Sequence, residues 1–171
     1  IVVDARTEIT TQLLSDEGYA VLTTEDEDQE DQYFAKDFEK KFFSDSTNRM
    51  FCKTFLENAK RDPITGEIGK SIVFAVSRNH ATKLTQILNE FADMIFPEKY
   101  NSDFAMQITS DIPNAQQYTI NFQNNNLSGK TSFVEGYSSG KTRVCVTVGM
   151  MTTGYDCQDL LNVILMRPIF S

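Results

Sequence analysis

Thr152, Thr153, Gly154, Tyr155 and Asp156 bring two threonine hydroxyls, a glycine, a tyrosine and a carboxylate together within five consecutive positions. They follow Val144, Val146 and Val148, a β-branched run that suits a strand buried in a parallel sheet better than a helix. Asp159, Leu160 and Leu161 then suggest a short helical turn, and Val163, Ile164, Leu165 and Met166 a second strand closed by Arg167-Pro168. Strand, polar loop, turn, strand is an arrangement in which ligands meet the loops that leave the carboxyl ends of an open α/β sheet. Gly154 permits close backbone approach or a positive φ. The plainer reading of Asp156 is a turn that Gly and Asp satisfy locally.

Other chemistries find little support. Gly129-Lys130-Thr131 has the ending of a phosphate-binding loop, but that motif needs a glycine where Asn124 stands, and no strand leads into it. His80 is the only histidine and has no obvious Ser or Cys constellation, so it reads as a residue that packs or hydrogen-bonds at a helix start. Cys52, Cys145 and Cys157 are widely spaced, with no C-x-x-C pair, which argues against zinc and for a reduced, cytoplasmic setting. Cys145, among valines, reads as core.

The elements that must hold these residues follow from periodicity. Lys70 to Ser77 is a continuous apolar strand ending in a polar residue, and Ala81, Leu84, Ile87, Leu88, Phe91 and Ile95 mark one face of the helix after it. Phe34, Phe38 and Phe42, then Met50, Phe51, Phe55 and Ala59, recur at helical spacing on either side of Ser44-Asp45-Ser46, giving two helices that buttress the following domain. The expected strands fall near 71–76, 104–109, 143–148 and 162–166, with helices near 80–95 and 113–122. The fold class is therefore α/β with a mostly parallel sheet, plus a helical amino-terminal segment.

The stretch from Val146 to Ser171, with Met151-Thr152-Thr153-Gly154-Tyr155-Asp156-Cys157, Asp159-Leu160-Leu161-Asn162 and Leu165-Met166-Arg167-Pro168, resembles motif V of superfamily 2 helicases and translocases. The version it resembles is that of the R subunit of type I restriction enzymes. The strand-to-helix loop at Ser77-Arg78-Asn79 corresponds to motif IV. The resemblance implies a RecA-like second motor domain over 63–171, a helical connector over 33–62 and an acidic linker over 1–32. It implies that Gly154 and Asp156 line a nucleotide cleft and that Ser77, Arg78, Asn79, Thr147 and Thr153 lie at the DNA backbone. ATP and magnesium would be held mainly by the first RecA-like domain.

By the same resemblance the partners are duplex DNA, that first domain, and the methylation and specificity subunits, with no membrane involved. The whole enzyme would pump duplex DNA with ATP and cut it away from its recognition site. This sequence carries no Walker A loop, D-E-x-H box, nuclease motif or arginine motif, which is expected beyond Ser171, so the 171 residues alone are expected to be inactive. Ile1 in place of Met likewise suggests a start inside a longer protein. The competing readings are the second motor domain of another superfamily 2 helicase, and a noncatalytic RecA-like module that binds a partner. A small flavodoxin-type nucleotide binder fits less well, because no phosphate loop follows the first clear strand.

The net charge of -8 sits entirely in residues 1–50, while 51–171 is neutral. Any phosphate contact must therefore come from local placement of Lys and Arg. Lys141 and Arg143 are open to two readings, phosphate contacts or solvated strand flanks. The run Glu25 to Asp31, with six acids in seven positions, is either a solvated loop or an acidic face for a basic neighbour.

Overall fold

The computed structural model describes residues 44–124, 141–151 and 155–166. The acidic run, the Phe34–Phe38–Phe42 stripe, Gly129-Lys130-Thr131, Thr153, Gly154 and Arg167-Pro168 lie outside the described residues.

The described residues form an α/β fold with three helices and a four-stranded, all-parallel sheet. In chain order the elements are α1 (Asp45–Asn58), β1 (Lys70–Phe74), α2 (Arg78–Ile95), β2 (Ala105–Gln107), α3 (Ala115–Gln123), β3 (Val144–Thr147) and β4 (Leu160–Leu165). The strand order is β2-β3-β1-β4. β1 pairs with β3 from Ser71↔Val144 to Phe74↔Thr147, and with β4 from Ser71↔Asn162 to Phe74↔Leu165.

A strand bonded on both edges and covered on both faces has to be apolar throughout, which is what the run through Ile72, Val73 and Phe74 supplies. Val73, Val144 and Val146 face a core built with Cys52, Phe55 and Leu56 of α1 and Ala81, Leu84 and Leu88 of α2. Ile72, Phe74 and Cys145 face the other way, onto Ala115 and Phe122 of α3. Each Leu or Phe buried in this way contributes about 1.5–3 kcal/mol.

The helix ends have local causes. Ser44 Oγ accepts from the Thr47 amide and caps α1, so the expected break at Ser44-Asp45-Ser46 is the cap and first turn of α1. Ser77 Oγ accepts from the His80 amide and caps α2 at 3.0 Å. α2 stops before Pro97, which bars helical backbone at Phe96 and offers no amide.

Two expectations are corrected, one at the start of β4 and one just before β3. The short helical turn expected at Asp159-Leu160-Leu161 comes earlier, where the Leu160 amide donates to the Cys157 carbonyl, and Leu160 already belongs to the strand. The pairing is irregular between Lys70 and Ser71, whose partners are Leu160 and Asn162, so Leu161 is one extra residue in β4. Arg143 is not a solvated flank: it is buried, and its Nε donates to the Ile68 carbonyl at 2.8 Å. Lys141 Nζ lies 3.8 Å from Asp103.

Asn162 fastens β4 to the segment between α1 and β1. Its Oδ1 accepts from the Lys60 amide at 2.8 Å, while its Nδ2 donates to the Lys60 carbonyl and to Ser71 Oγ. Gly69 passes beneath this clasp. A Cβ there would come within 2.5 Å of Leu161 Cδ1 and 2.8 Å of the Lys60 carbonyl oxygen. Gly69→Ala is therefore expected to destabilise the chain by about 1–3 kcal/mol. Leu161→Ala should restore only part of that loss, because the backbone oxygen remains; urea unfolding followed by far-UV circular dichroism of both variants checks this.

Candidate functional site

The connections decide where a ligand can enter. β1 leads through α2 to β2, and α2 packs on β2 and β3 and on α1. β3 leads in the opposite direction, and Met150, Met151 and Tyr155 of that connection, with Leu160 at the start of β4, pack on the α3-side core. Adjacent strands β1 and β3 thus send their chains to opposite faces, as right-handed crossovers in opposite directions require. The crevice at their carboxyl ends is the topological switch point of the sheet, where open α/β folds bind ligands.

Ser77, Arg78 and Asn79 leave β1 at this crevice, and Thr147 ends β3 beside them, its carbonyl accepting from the Ala75 amide at 2.8 Å. Arg78 and Asn79 are exposed. Their amides occupy the first turn of α2, where helix geometry leaves donors without intrahelical partners and the helix dipole favours an anion. Ser77 is buried and its hydroxyl is engaged in the cap. Thr147 is fully buried, and its Oγ1 finds no hydrogen-bond partner among the described residues. Register places that hydroxyl on the α3 side of the sheet with Phe74. Buried there, the hydroxyl is not open to the crevice surface.

A polar network frames the crevice on its β2 side. Arg78 Nε lies 3.3 Å from Asp111 Oδ1, and Arg78 Nη2 donates to Ser110 Oγ at 3.2 Å. Thr109 Oγ1 donates to the same Asp111 oxygen at 2.5 Å, and Gln107 Nε2 donates to Thr109 Oγ1 at 3.2 Å. The Thr109 hydrogen bond, with help from the Arg78 charge, holds the Asp111 carboxyl below the usual carboxylate range despite some desolvation. Gln107, Thr109, Ser110 and Asp111 had drawn no functional reading from the sequence; the only signal was a polar cluster at the end of a short strand.

His80 secures the loop from below. It is fully buried; Nδ1 accepts from the Val76 amide at 3.1 Å, and Nε2 lies 2.9 Å from Asn48 Oδ1 of α1. The first bond makes Nδ1 the acceptor, so Nε2 carries the hydrogen and donates to Asn48. The histidine is a positioning residue for the β1–α2 turn, in line with its reading as a helix-start group.

Asp156 lies elsewhere. Tyr155 donates through its hydroxyl to the Thr119 carbonyl in α3 at 2.8 Å, and Cys157 and Asp159 reach Lys70 at the start of β1. The chain at Asp156 is therefore returning along the α3 face toward the amino-terminal ends of the strands. Its carboxylate is exposed, and among the described residues no hydrogen bond or ion pair engages it. The structure brings together Ser77, Arg78, Asn79 and Thr147, and leaves Asp156 apart from them. Met151, at the end of the described segment that follows β3, takes left-handed backbone at φ 63°.

That return is anchored by a buried ammonium. Lys70 is 2% exposed; its Nζ donates to Asp159 Oδ1 at 2.9 Å and to the Gln123 carbonyl at the end of α3, and lies over the Phe122 ring. Desolvation pushes the Asp159 carboxyl up, but the bonds from Lys70 and Cys157 outweigh it and leave it below its ordinary range. Burial raises the thiols of Cys157 and Cys145, and that of Cys52 to about 12, so all three stay protonated at neutral pH.

No protein-family model, curated protein or solved structure matches the chain. Among the described residues no helix is long and apolar enough to cross a membrane.

Asp159→Asn leaves the Lys70 charge buried without its counter-ion and is expected to cost about 2 kcal/mol at pH 7, less than a fully buried pair because Asp159 is half-exposed. Lys70→Met removes the desolvated charge altogether and should cost less than Asp159→Asn. The folded-state pKa of Asp159 lies below its unfolded value of about 3.9, so the pair's contribution is complete above that value and is lost as pH falls through the folded pKa. The gap between Asp159→Asn and wild type should narrow from about pH 7 to about pH 3 in urea unfolding.

Proposed function

We propose that this chain is the second RecA-like domain of an ATP-dependent duplex DNA translocation motor of the kind found in the R subunit of type I restriction enzymes, acting in the cytoplasm. The carrying observation is the switch-point crevice, where the first turn of α2 presents the exposed Arg78 and Asn79 beside the end of β3. Free first-turn amides, a guanidinium and a side-chain amide suit a phosphate backbone, which fixes position without reading sequence. A translocating motor needs that kind of grip. The motif V resemblance of residues 146–171 supplies the family, and the all-parallel sheet is compatible with it.

In this reading Asp156 serves a different partner from Arg78. An exposed, unengaged carboxylate can accept a ribose hydroxyl or an arginine from a facing domain. Magnesium is assigned to the first RecA-like domain and the nucleotide, as the motif V resemblance implies. Bound ATP and magnesium supply the phosphoryl-transfer chemistry. The work of this chain is to hold DNA at the carboxyl ends of the strands and close on the nucleotide from the α3 face. Methylation and specificity subunits would complete the restriction complex. A noncatalytic partner-binding module is the second reading.

The test is DNA-stimulated ATP hydrolysis by the complete motor subunit. Asp156→Ala is expected to lower kcat by about tenfold or more, as loss of one charge-stabilising contact does, with DNA affinity unchanged. Combined Arg78→Ala and Asn79→Ala should instead raise the DNA concentration needed for half-maximal stimulation. A subunit whose hydrolysis ignores DNA would overturn the motor reading in favour of the binding module.

A further inference from the structure

Arg78 is the one cation at the crevice mouth that the phosphate-contact reading relies on, yet its guanidinium is already engaged. Asp111 takes Nε and Ser110 takes Nη2, from a loop that leaves a different strand. The pair is open to solvent, with Arg78 49% and Asp111 47% exposed, so it is weakly held and can be exchanged. Asp111 itself is less free to move, because Thr109 donates to it and Gln107 donates in turn to Thr109. Gln107 also reaches back to the Arg78 carbonyl at 3.4 Å and accepts from Thr82 Oγ1 at 2.8 Å, so the acid and the helix start are tied into one frame.

We infer that Asp111 is an internal competitor for Arg78, occupying the guanidinium until a nucleic-acid phosphate displaces it. The inference rests on the reading of Arg78 as a phosphate contact and adds the regulation of that contact. A carboxylate and a phosphate present similar paired oxygens to a guanidinium, so one can replace the other on the same donors. The phosphate gains the Arg78 and Asn79 amides at the helix start, donors that the rim-held Asp111 carboxylate does not engage. The carboxylate stays charged at neutral pH and remains nearby after displacement, so it repels the bound phosphate and keeps the grip reversible. A reversible grip is what a stepping motor needs; a permanent one would stall it.

The experiment is equilibrium binding of this chain to a fluorescent duplex of about 20 base pairs, measured by anisotropy across a series of salt concentrations. Wild type is compared with Asp111→Asn, Arg78→Ala and the double variant, each checked for native circular dichroism. Asp111→Asn should tighten binding by about three- to tenfold and steepen the dependence of log affinity on log salt by up to about one unit, the signature of one more phosphate contact. Arg78→Ala should weaken binding, and adding Asp111→Asn to it should restore little.

If wild type binds and Arg78→Ala weakens it, but Asp111→Asn binds no better, Asp111 merely positions Arg78 and the competitor is overturned. Equal tightening by Asp111→Asn with and without Arg78 would also overturn it, as a general charge effect. If neither wild type nor Asp111→Asn binds duplex, the phosphate-contact reading itself fails. Binding by Asp111→Asn alone would show the reserve directly.

Discussion

The fold depends on the position of β1. It is hydrogen-bonded to β3 on one edge and β4 on the other, with five consecutive buried residues and helices over both faces. A parallel strand in that position cannot be joined to its neighbours by tight turns, so each connection has to cross a face of the sheet. Covering both faces forces the chain leaving β1 and the chain leaving β3 apart. The crevice between Ser77 and Thr147 is the direct result of that divergence, and the cap by Ser77 and the His80–Asn48 contact fix its near wall.

The two ends of the sheet carry different groups. The carboxyl ends present the α2 start, Arg78 and the Gln107–Thr109–Asp111 chain of hydrogen bonds. Toward the amino ends a buried ammonium, Lys70, gathers Asp159, Cys157 and the last turn of α3. The connection carrying Asp156 runs between them along the α3 face. In the proposed motor this separation lets one domain hold nucleic acid and face nucleotide at once, with the rigid sheet coupling the two. The buried, unbonded Thr147 hydroxyl sits under the connection where it leaves β3, at the point where such coupling would start.

Most of the fold was legible because its signals are local. The apolar runs at Ile72–Val73–Phe74 and Val144–Cys145–Val146 announce strands that need both faces covered, and the spacing from Ala81 to Ile95 announces α2 with its buried side. The position of His80 at a helix start was legible for the same reason. What could not be read was long-range. That Lys70 is buried depends on Asp159, 89 positions later; that Arg143 is buried depends on the Ile68 carbonyl; and Asn162 clasps Lys60 across 102 positions. In each case the polar residue reads as surface until its distant partner is known. The placement of the loops follows the same division: Arg78 and Asn79 could be put at a strand-to-helix loop from sequence, while Asp111 came beside them only when the sheet placed its loop there.

The central claim is that nucleic-acid phosphate sits in the β1–β3 crevice. Its most direct test is an amide-resolved NMR titration of this 19.4 kDa chain with duplex DNA at low salt. The account predicts that the largest shifts fall on the Arg78 and Asn79 amides and on Val148 and Gly149 across the crevice, with little change at the other end of the sheet. Shifts centred on Lys60, Arg61 and Lys99, with the α2 start unmoved, would contradict it and place the binding surface at the opposite end.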